Sequence, residues 1–321
     1  MITIWAPDGV GEVRRGDELA DLLLPLVEPA DGDIVCVTSK AVSKAEGRVV
    51  AGDRAEAVVR ETVRLVARRG PLSIVVNRLG LTMAAAGVDA SNVEPGRIVL
   101  LPEDPDASAR RLRAIVAERT GANVGVLVTD TAGRAWREGQ TDIAIGAAGL
   151  TVVDDHAGRT DAYGNELLVT APAVADELAG AAELAAGKLH GRPFTLVRGR
   201  GDLVLPPGED GAGAAGLLRP AGSDLFGFGS REAVLAALSG GPEHRFAFGS
   251  PTDADELAGL LTGLLGAGTG VTVDDDAVCL AGADERARWV AEVAAYAHGW
   301  RTDRVDGATV RLSPAGPGAA R

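Results

Sequence analysis

Two of the chain's three lysines lie four positions apart in residues 38–48, which read Thr-Ser-Lys-Ala-Val-Ser-Lys-Ala-Glu-Gly-Arg. The segment follows residues 33–37, whose β-branched and small side chains predict a buried strand. Because the remaining positive charge is almost entirely arginine, lysine at Lys40 and Lys44 indicates a need for a compact ammonium group. Ammonium groups and hydroxyls at the end of a strand can bind nucleotide phosphates. A solvated turn whose lysines only aid solubility is the alternative.

A second group of reactive side chains lies in residues 129–142, which read Thr-Asp-Thr-Ala-Gly-Arg-Ala-Trp-Arg-Glu-Gly-Gln-Thr-Asp. The preceding apolar run, 124–128, predicts a strand that delivers Asp130 to a strand end. Open α/β sheets place ligands and hard metal ions at such ends. Thr131 can add another oxygen to the same cation. The alternative is that Asp130 only caps a following helix.

The same segment carries two arginines, Arg134 and Arg137. If the segment is helical they lie one turn apart, where they could clamp a carboxylate or a phosphate. Trp136 between them could serve as a stacking platform, but we expect it to pack into the core.

A third segment, residues 84–93, reads Ala-Ala-Ala-Gly-Val-Asp-Ala-Ser-Asn-Val. Its small side chains would let the backbone approach a ligand closely. Asp89 is a candidate second metal carboxylate, and Asn92 is a candidate contact to a base or a sugar. A turn without any function would have a similar sequence.

The chain alternates helical periodicity with short β-like runs, which predicts a mixed α and β fold. Predicted helices cover residues 17–27, 54–69, 105–119, 173–188, 253–265 and 284–298. Predicted strands cover residues 33–38, 72–76, 97–101, 123–129, 151–154, 193–198, 270–273 and 278–280. Residues 206–216, rich in proline and glycine, predict a mobile loop.

The overall composition limits the classes of partner that the protein can bind. A chain of 321 residues with a net charge of −13 is long enough for two domains and does not suit nonspecific nucleic acid or an anionic membrane. Its two cysteines, Cys36 and Cys279, make neither a disulfide framework nor a zinc site. No apolar run reaches the roughly 18 residues of a membrane span. We therefore expect a cytoplasmic protein that binds small molecules.

Together the three segments resemble the coenzyme F420-0:L-glutamate ligases, the γ-glutamyl ligases of the deazaflavin coenzyme. The resemblance extends from about residue 4 to residue 229. It includes further stretches at residues 161–167, 197–199, 217–220 and 224–226.

The resemblance implies a GTP-dependent amide ligase that adds L-glutamate to coenzyme F420-0 or its dehydro form. It further implies Mg²⁺ or Mn²⁺, with two ions expected, K⁺ as a candidate activator, and a homodimer. The family's nucleotide contacts fall on Val10, Gly11, Glu12, Val13, Ser39, Lys44 and Asn92, and its metal ligands fall on Asp89, Asp130 and Thr131.

On chemical grounds we add Lys40 to the expected nucleotide contacts. We expect catalytic roles for Lys44, Asp130 and Arg134. Residues 10–13 depart from the family's pattern, because they lack its proline. The reaction implied is transfer of the γ-phosphoryl group of GTP to the precursor's carboxylate, followed by attack of glutamate's amine on the acyl phosphate. The alternatives are a non-catalytic nucleotide- or deazaflavin-binding protein and an amide ligase for another acidic substrate.

The resemblance also suggests how the chain is divided. Residues 1–229 are expected to form the ligase domain, with a two-part core of mixed sheets and flanking helices. Residues 230–321 are expected to form a small C-terminal α/β module of unknown function with a flexible tail. This module is too short for the flavin-binding domain that some relatives carry.

Overall fold

The structure, a computed structural model, describes residues 1–220, 222–266 and 268–316. The chain divides into two compact units, of which the first comprises Met1–Arg64 and Ile74–Leu218 and the second Leu65–Ser73 and Arg219–Arg321. The expected domain boundary at residue 229 stays a prediction. Most of the expected flexible tail, residues 317–321, lies outside the described residues.

Helices and strands alternate along the first unit, and the expected mixed α/β class is confirmed. Its elements are β1 (Thr3–Trp5), α1 (Leu19–Leu23), β2 (Ile34–Thr38), α2 (Ser39–Glu46), β3 (Val49–Ala51), α3 (Arg54–Glu61), β4 (Thr62–Arg69), β5 (Leu72–Asn77), β6 (Thr82–Ala84), β7 (Arg97–Val99), α4 (Pro105–Thr120), β8 (Gly125–Arg134), β9 (Arg137–Ala148), α5 (Val174–Ala186) and β10 (Phe194–Arg198). Strands β4 and β5 are shared between the units, because Leu65–Ser73, which covers most of β4 and the start of β5, belongs to the second unit.

A five-stranded sheet with the order β1-β10-β2-β8-β9 forms the centre of the first unit. Its central pair, β2 and β8, is parallel, and its other neighbours are antiparallel. Side chains of β2 alternate between two buried clusters, with Val35 and Val37 on one face and Ile34 and Cys36 on the other. A strand buried on both faces shows a continuous apolar run, which is why the sequence predicts it well.

Helices cover both faces of this sheet. Apolar side chains of α4, Leu112 and Val116, pack in the cluster that contains Val35 and Val37. Leu178 of α5 packs in the other cluster. The thiol of Cys36 is enclosed there, and burial raises its pKa to about 12, so this cysteine is a core residue rather than a nucleophile.

Three sequence-based expectations about elements are wrong. The expected helix over residues 54–69 ends at Glu61, and Thr62–Arg69 forms strand β4 of a three-stranded sheet with β5 and β6. β-Branched residues at positions 62, 63 and 66 favour that strand over a continued helix. Residues 151–154 are not a strand, and the helix expected over residues 17–27 is confined to Leu19–Leu23.

The segment 206–216, expected to be mobile, is anchored to the first unit. All three guanidinium nitrogens of the buried Arg113 donate hydrogen bonds, and their acceptors include the carbonyl oxygens of Pro206 and Glu209. Asp106 accepts from the amide of Ala214 at 2.8 Å. The turns that glycine and proline permit are therefore held by side chains from α4, which the local sequence does not reveal.

The second unit has its own sheet and core. It contains α6 (Ser230–Ser239), α7 (Ala254–Leu265), β11 (Gly270–Asp274), β12 (Ala277–Ala281), α8 (Glu285–Ala297), β13 (Trp300–Asp306) and β14 (Thr309–Pro314). The strands form an antiparallel sheet in the order β11-β12-β14-β13. Leu257, Leu261 and Trp300 are buried in its core. Among the described residues of the whole chain, no helix is both long and apolar enough to cross a membrane.

We expect Arg113→Met to lower the free energy of unfolding by about 3 kcal/mol, because the carbonyl oxygens around the guanidinium lose their donors in a buried site. Amide hydrogen exchange in residues 206–216 should also accelerate. Urea unfolding and exchange mass spectrometry measure the two effects. The control Arg110→Ala, on the exposed side of the same helix, should change stability by less than about 1 kcal/mol. Equal unfolding curves for Arg113→Met and the unmodified protein would contradict the anchoring role.

Candidate active site

The carboxyl ends of β2 and β8 create the site. The two strands are in parallel register, with Thr38 opposite Thr129. Because α2 begins immediately after β2, Ser39 lies beside Asp130, and the Ser39 hydroxyl donates to Asp130 Oδ1 at 2.6 Å. The first two sequence segments therefore meet as the argument from strand ends predicts.

Lys40 connects the third sequence segment, residues 84–93, to this site. Its ammonium donates to Asp89 Oδ2 at 2.6 Å and to Ser91 Oγ at 2.7 Å. Burial acts to raise the pKa of Asp89, but the hydrogen bonds from Lys40 and Ser91 outweigh it and hold that pKa at about 2. Asp89 is therefore a carboxylate throughout the neutral pH range. Asn92, three residues on, is exposed and has a φ of 54°.

Residues 10–13 lie next to helix α2. The Lys44 ammonium pairs with the Glu12 carboxylate at 2.5 Å, one turn along α2 from Lys40. Val13 is buried and Val10 packs against the same core cluster, so their side chains hold the segment in place. Any ligand contact from Val10, Gly11 or Val13 must then involve mainly the backbone.

Asp142, a carboxylate that the sequence motifs did not single out, lies next to Thr131 across the β8–β9 pair. The residue is only 4% exposed. The hydroxyls of Thr131 and Thr129 both donate to it, at 2.7 and 3.2 Å. The alternation along β9 could have indicated an inward-facing carboxylate, but this segment was not predicted to be a strand.

Lys188, the last residue of the helix predicted over residues 173–188, was also not recognised as a site residue. Its ammonium donates to Thr131 Oγ1 and lies 4.0 Å from Asp142 Oδ1. All three lysines of the chain thus contact candidate site residues: Lys40 binds Asp89, Lys44 binds Glu12 and Lys188 binds Thr131. A distant lysine on a different element gives no local sequence signal for this position.

The carboxyl group of Asp130 carries a raised pKa of about 6. Burial is the main cause, and the nearby Asp142 carboxylate adds to it, whereas the hydrogen bond from Ser39 and the charge of Lys40 oppose it. Two neighbouring carboxylates in a poorly solvated position favour the arrival of a cation. This electrostatic environment distinguishes Asp130 from a simple helix cap.

The segment after Thr131 is a hairpin, so the one-turn spacing that a helix would give its two arginines does not apply. Arg134 and Arg137 pair across β8 and β9, and Ala135 and Trp136 form the turn. Directly opposed residues share a face of a hairpin, so both guanidinium groups can still meet one anion. Trp136 is 82% exposed, which also overturns its expected place in the core.

Arg198 lies in the stretch 197–199, which also carries the family resemblance, and its contacts are structural. Its guanidinium binds both carboxylate oxygens of the buried Asp33, at 2.7 and 2.6 Å. It also lies over the ring of Trp5 at 5.3 Å. This arginine ties β10 to the start of β2.

The donor set suits a hard divalent cation that brings other ligands with it. Within residues 1–220, 222–266 and 268–316, no three His, Cys, Asp or Glu side chains form a group able to hold a metal ion by themselves. The Thr131 hydroxyl nevertheless donates to Asp142 at 2.7 Å, and the Asp142 carboxylate is close enough to Asp130 to raise its pKa, so the three residues offer oxygen atoms in one region. Mg²⁺ commonly takes one or two carboxylates and completes its coordination with water and substrate phosphates. The residues present fit that mode of binding.

Comparisons with known proteins agree with this arrangement of motifs. Residues 9–199 match the family model described as F420-0:Gamma-glutamyl ligase. A Coenzyme F420:L-glutamate ligase of Methanopyrus kandleri is 41% identical over 210 residues, which is 59% of this chain and 83% of that protein. Proteins of the same name from Archaeoglobus fulgidus and Natronomonas pharaonis are 38% and 41% identical, over 62% and 60% of this chain and 88% and 84% of theirs. The chain is therefore a ligase that belongs to the F420-0:γ-glutamyl ligase family.

Proposed function

We propose that this protein joins L-glutamate to the carboxylate of the deazaflavin precursor coenzyme F420-0, using GTP and a divalent cation. The named relatives are glutamate ligases of coenzyme F420. The observation that carries the finer proposal is the convergence of Ser39, Lys40, Asp89 and Asp130, which come from three separate segments. Such a cluster of ammonium, hydroxyl and carboxylate groups is suited to phosphoryl transfer.

The start of α2 is the proposed phosphate-binding element. Ser39 is its first residue, and the backbone amides of a helix N-terminus favour anions. Lys40 and Lys44 add positive charge on successive turns. The exposed Asn92 and the backbone at residues 10–13 are the proposed contacts to the rest of the nucleotide.

The proposed metal ligands are Asp89, Asp130 and Thr131. Asp142 orients Thr131 by accepting a hydrogen bond from its hydroxyl. A divalent cation in this position would neutralise charge on the phosphates. Mg²⁺ and Mn²⁺ both suit oxygen donors, and we propose two such ions. We also propose K⁺ as an activator.

The reaction needs an activated carboxylate, because a carboxylate is a poor electrophile. An oxygen of the precursor's carboxylate attacks the γ-phosphorus of GTP, and the bond to the β-phosphate bridging oxygen breaks, so GDP leaves with that electron pair. The amine of glutamate then attacks the acyl carbon, inorganic phosphate departs, and the amine loses its proton to solvent. Lys40 and Lys44 neutralise the anions that must meet in the first step. Arg134 and Arg137 are placed to hold an anionic part of the substrates.

The direct test is a ligation assay with the purified full-length protein. Incubation with GTP, Mg²⁺ or Mn²⁺, L-glutamate and coenzyme F420-0 should give GDP and a glutamyl adduct, detected by mass spectrometry. Omission of the divalent cation should stop both products. An adduct that forms equally well without GTP would refute the acyl-phosphate route.

Asp130→Asn should reduce the ligation rate by at least about a hundredfold, because it removes a charge at the proposed cation site while keeping the side chain's shape. Steady-state kinetics at saturating GTP measure the loss. Asp104→Asn is the matched control: Asp104 caps α4, and asparagine caps a helix about as well. Full activity of a folded Asp130→Asn protein would show that Asp130 has no part in the reaction.

We also propose that the protein forms a homodimer. Largely exposed apolar side chains on the first unit, including Leu168, Val169, Leu184 and Leu189, would gain from being covered by a second chain. Light scattering at micromolar concentration should return twice the chain mass of 32.7 kDa. A single-chain mass under those conditions would count against the dimer.

A further inference from the structure

Lys188 lies among oxygen atoms that the proposed reaction uses. It follows α5 after Gly187, which has a φ of 68°. Its ammonium donates to the Thr131 hydroxyl and lies 3.4 Å from Glu183 Oε1 and 4.0 Å from Asp142 Oδ1. One ammonium group therefore serves one hydroxyl and two carboxylates.

The identity of this residue is informative because the chain otherwise uses arginine. Only three of its 32 lysines and arginines are lysine. Ordinary ion pairs are made by arginine, as in the pair of Arg111 with Glu18. Arginine binds carboxylates in a bidentate manner and would satisfy Glu183 and Asp142 at least as well. A lysine at this position thus indicates a need for a small, movable point charge.

The contacts of the Thr131 hydroxyl indicate what the charge of Lys188 does. The hydroxyl donates to Asp142 Oδ1 with an oxygen–oxygen distance of 2.7 Å, so its lone pairs are left to accept from the ammonium of Lys188. A divalent cation coordinated by Thr131 would need one of the same lone pairs. Lys40 has the same relation to Asp89, another proposed metal ligand.

We propose that Lys188 is a positioning residue: its ammonium holds Thr131 and Asp142 in place and competes with a divalent cation for them. This inference rests on the proposed function, since it concerns the same oxygen atoms. The side chain of Lys188 is 60% exposed, so the ammonium is free to move aside into solvent. Glu183, on the last turns of α5, offers it a second carboxylate nearby.

The test is a Mn²⁺ titration of the full-length protein, followed by electron paramagnetic resonance. Removing the positive charge that contacts Thr131 and Asp142 should tighten Mn²⁺ binding roughly tenfold in Lys188→Met. Lys188→Arg keeps the charge and can bind the carboxylates in a bidentate manner, so it should not tighten Mn²⁺ binding. Arg111→Ala, which removes the same charge from an exposed ion pair, should leave Mn²⁺ affinity unchanged.

Unchanged or weaker Mn²⁺ binding by folded Lys188→Met would overturn the proposal. If that variant does not fold by circular dichroism, Lys188→Gln replaces it, with the same expectation. The ligation assay separates the two proposals. An unmodified protein that binds Mn²⁺ but makes no glutamyl product refutes the reaction, whereas normal ligation with equal Mn²⁺ affinity in all variants refutes the competition.

Discussion

The parallel register of β2 and β8 is the constraint on which the site depends. With Thr38 opposite Thr129, the residues that follow, Ser39 at the start of α2 and Asp130 in β8, lie side by side. The register itself is held by apolar side chains on both faces of the sheet. A slip of one residue would exchange the two buried faces of β2 and place Val35 where Cys36 now packs. The position of the reactive hydroxyl and carboxylate is therefore a consequence of core packing.

Charge compensation then organises the surroundings of that pair. The chain carries a net charge of −13, and its site brings Asp89, Asp130 and Asp142 together with the ammonium groups of Lys40 and Lys188. An acidic protein that uses anionic substrates needs such local cations, because its overall field repels them. Lysine suits this purpose since its charge is compact and its stem flexible. The abundant arginines instead stabilise structure, as Arg113 and Arg198 show.

The sequence predicts those parts of the fold and the site that depend on local patterns. The buried strand β2, helices α4 and α5, and the meeting of Ser39 with Asp130 follow from periodicity and from reactive residues at strand ends, whereas the family resemblance groups Asp89 with them. Asp142 and Lys188 do not follow from such patterns, because their roles arise from strand pairing and from a helix far along the chain. The hairpin that carries Arg134 and Arg137 was not predicted either, because its turn at Ala135 and Trp136 has a φ of 58° at the tryptophan, a conformation that few residues other than glycine adopt.

Backbone strain next to Asp89 explains why its segment consists of small residues. Ala85 and Ala86 have φ values of 50° and 55°, a left-handed conformation that costs about 1 kcal/mol or more per residue outside glycine. The strain is sustained by neighbours: the buried Asn77 donates to the Ala86 carbonyl at 3.4 Å, and a side chain at Gly87 would meet Leu101 at 2.6 Å. Larger residues would tighten these clashes and displace the turn. The turn leads directly to Asp89, so the alanines and the glycine preserve the approach of its carboxylate to Lys40.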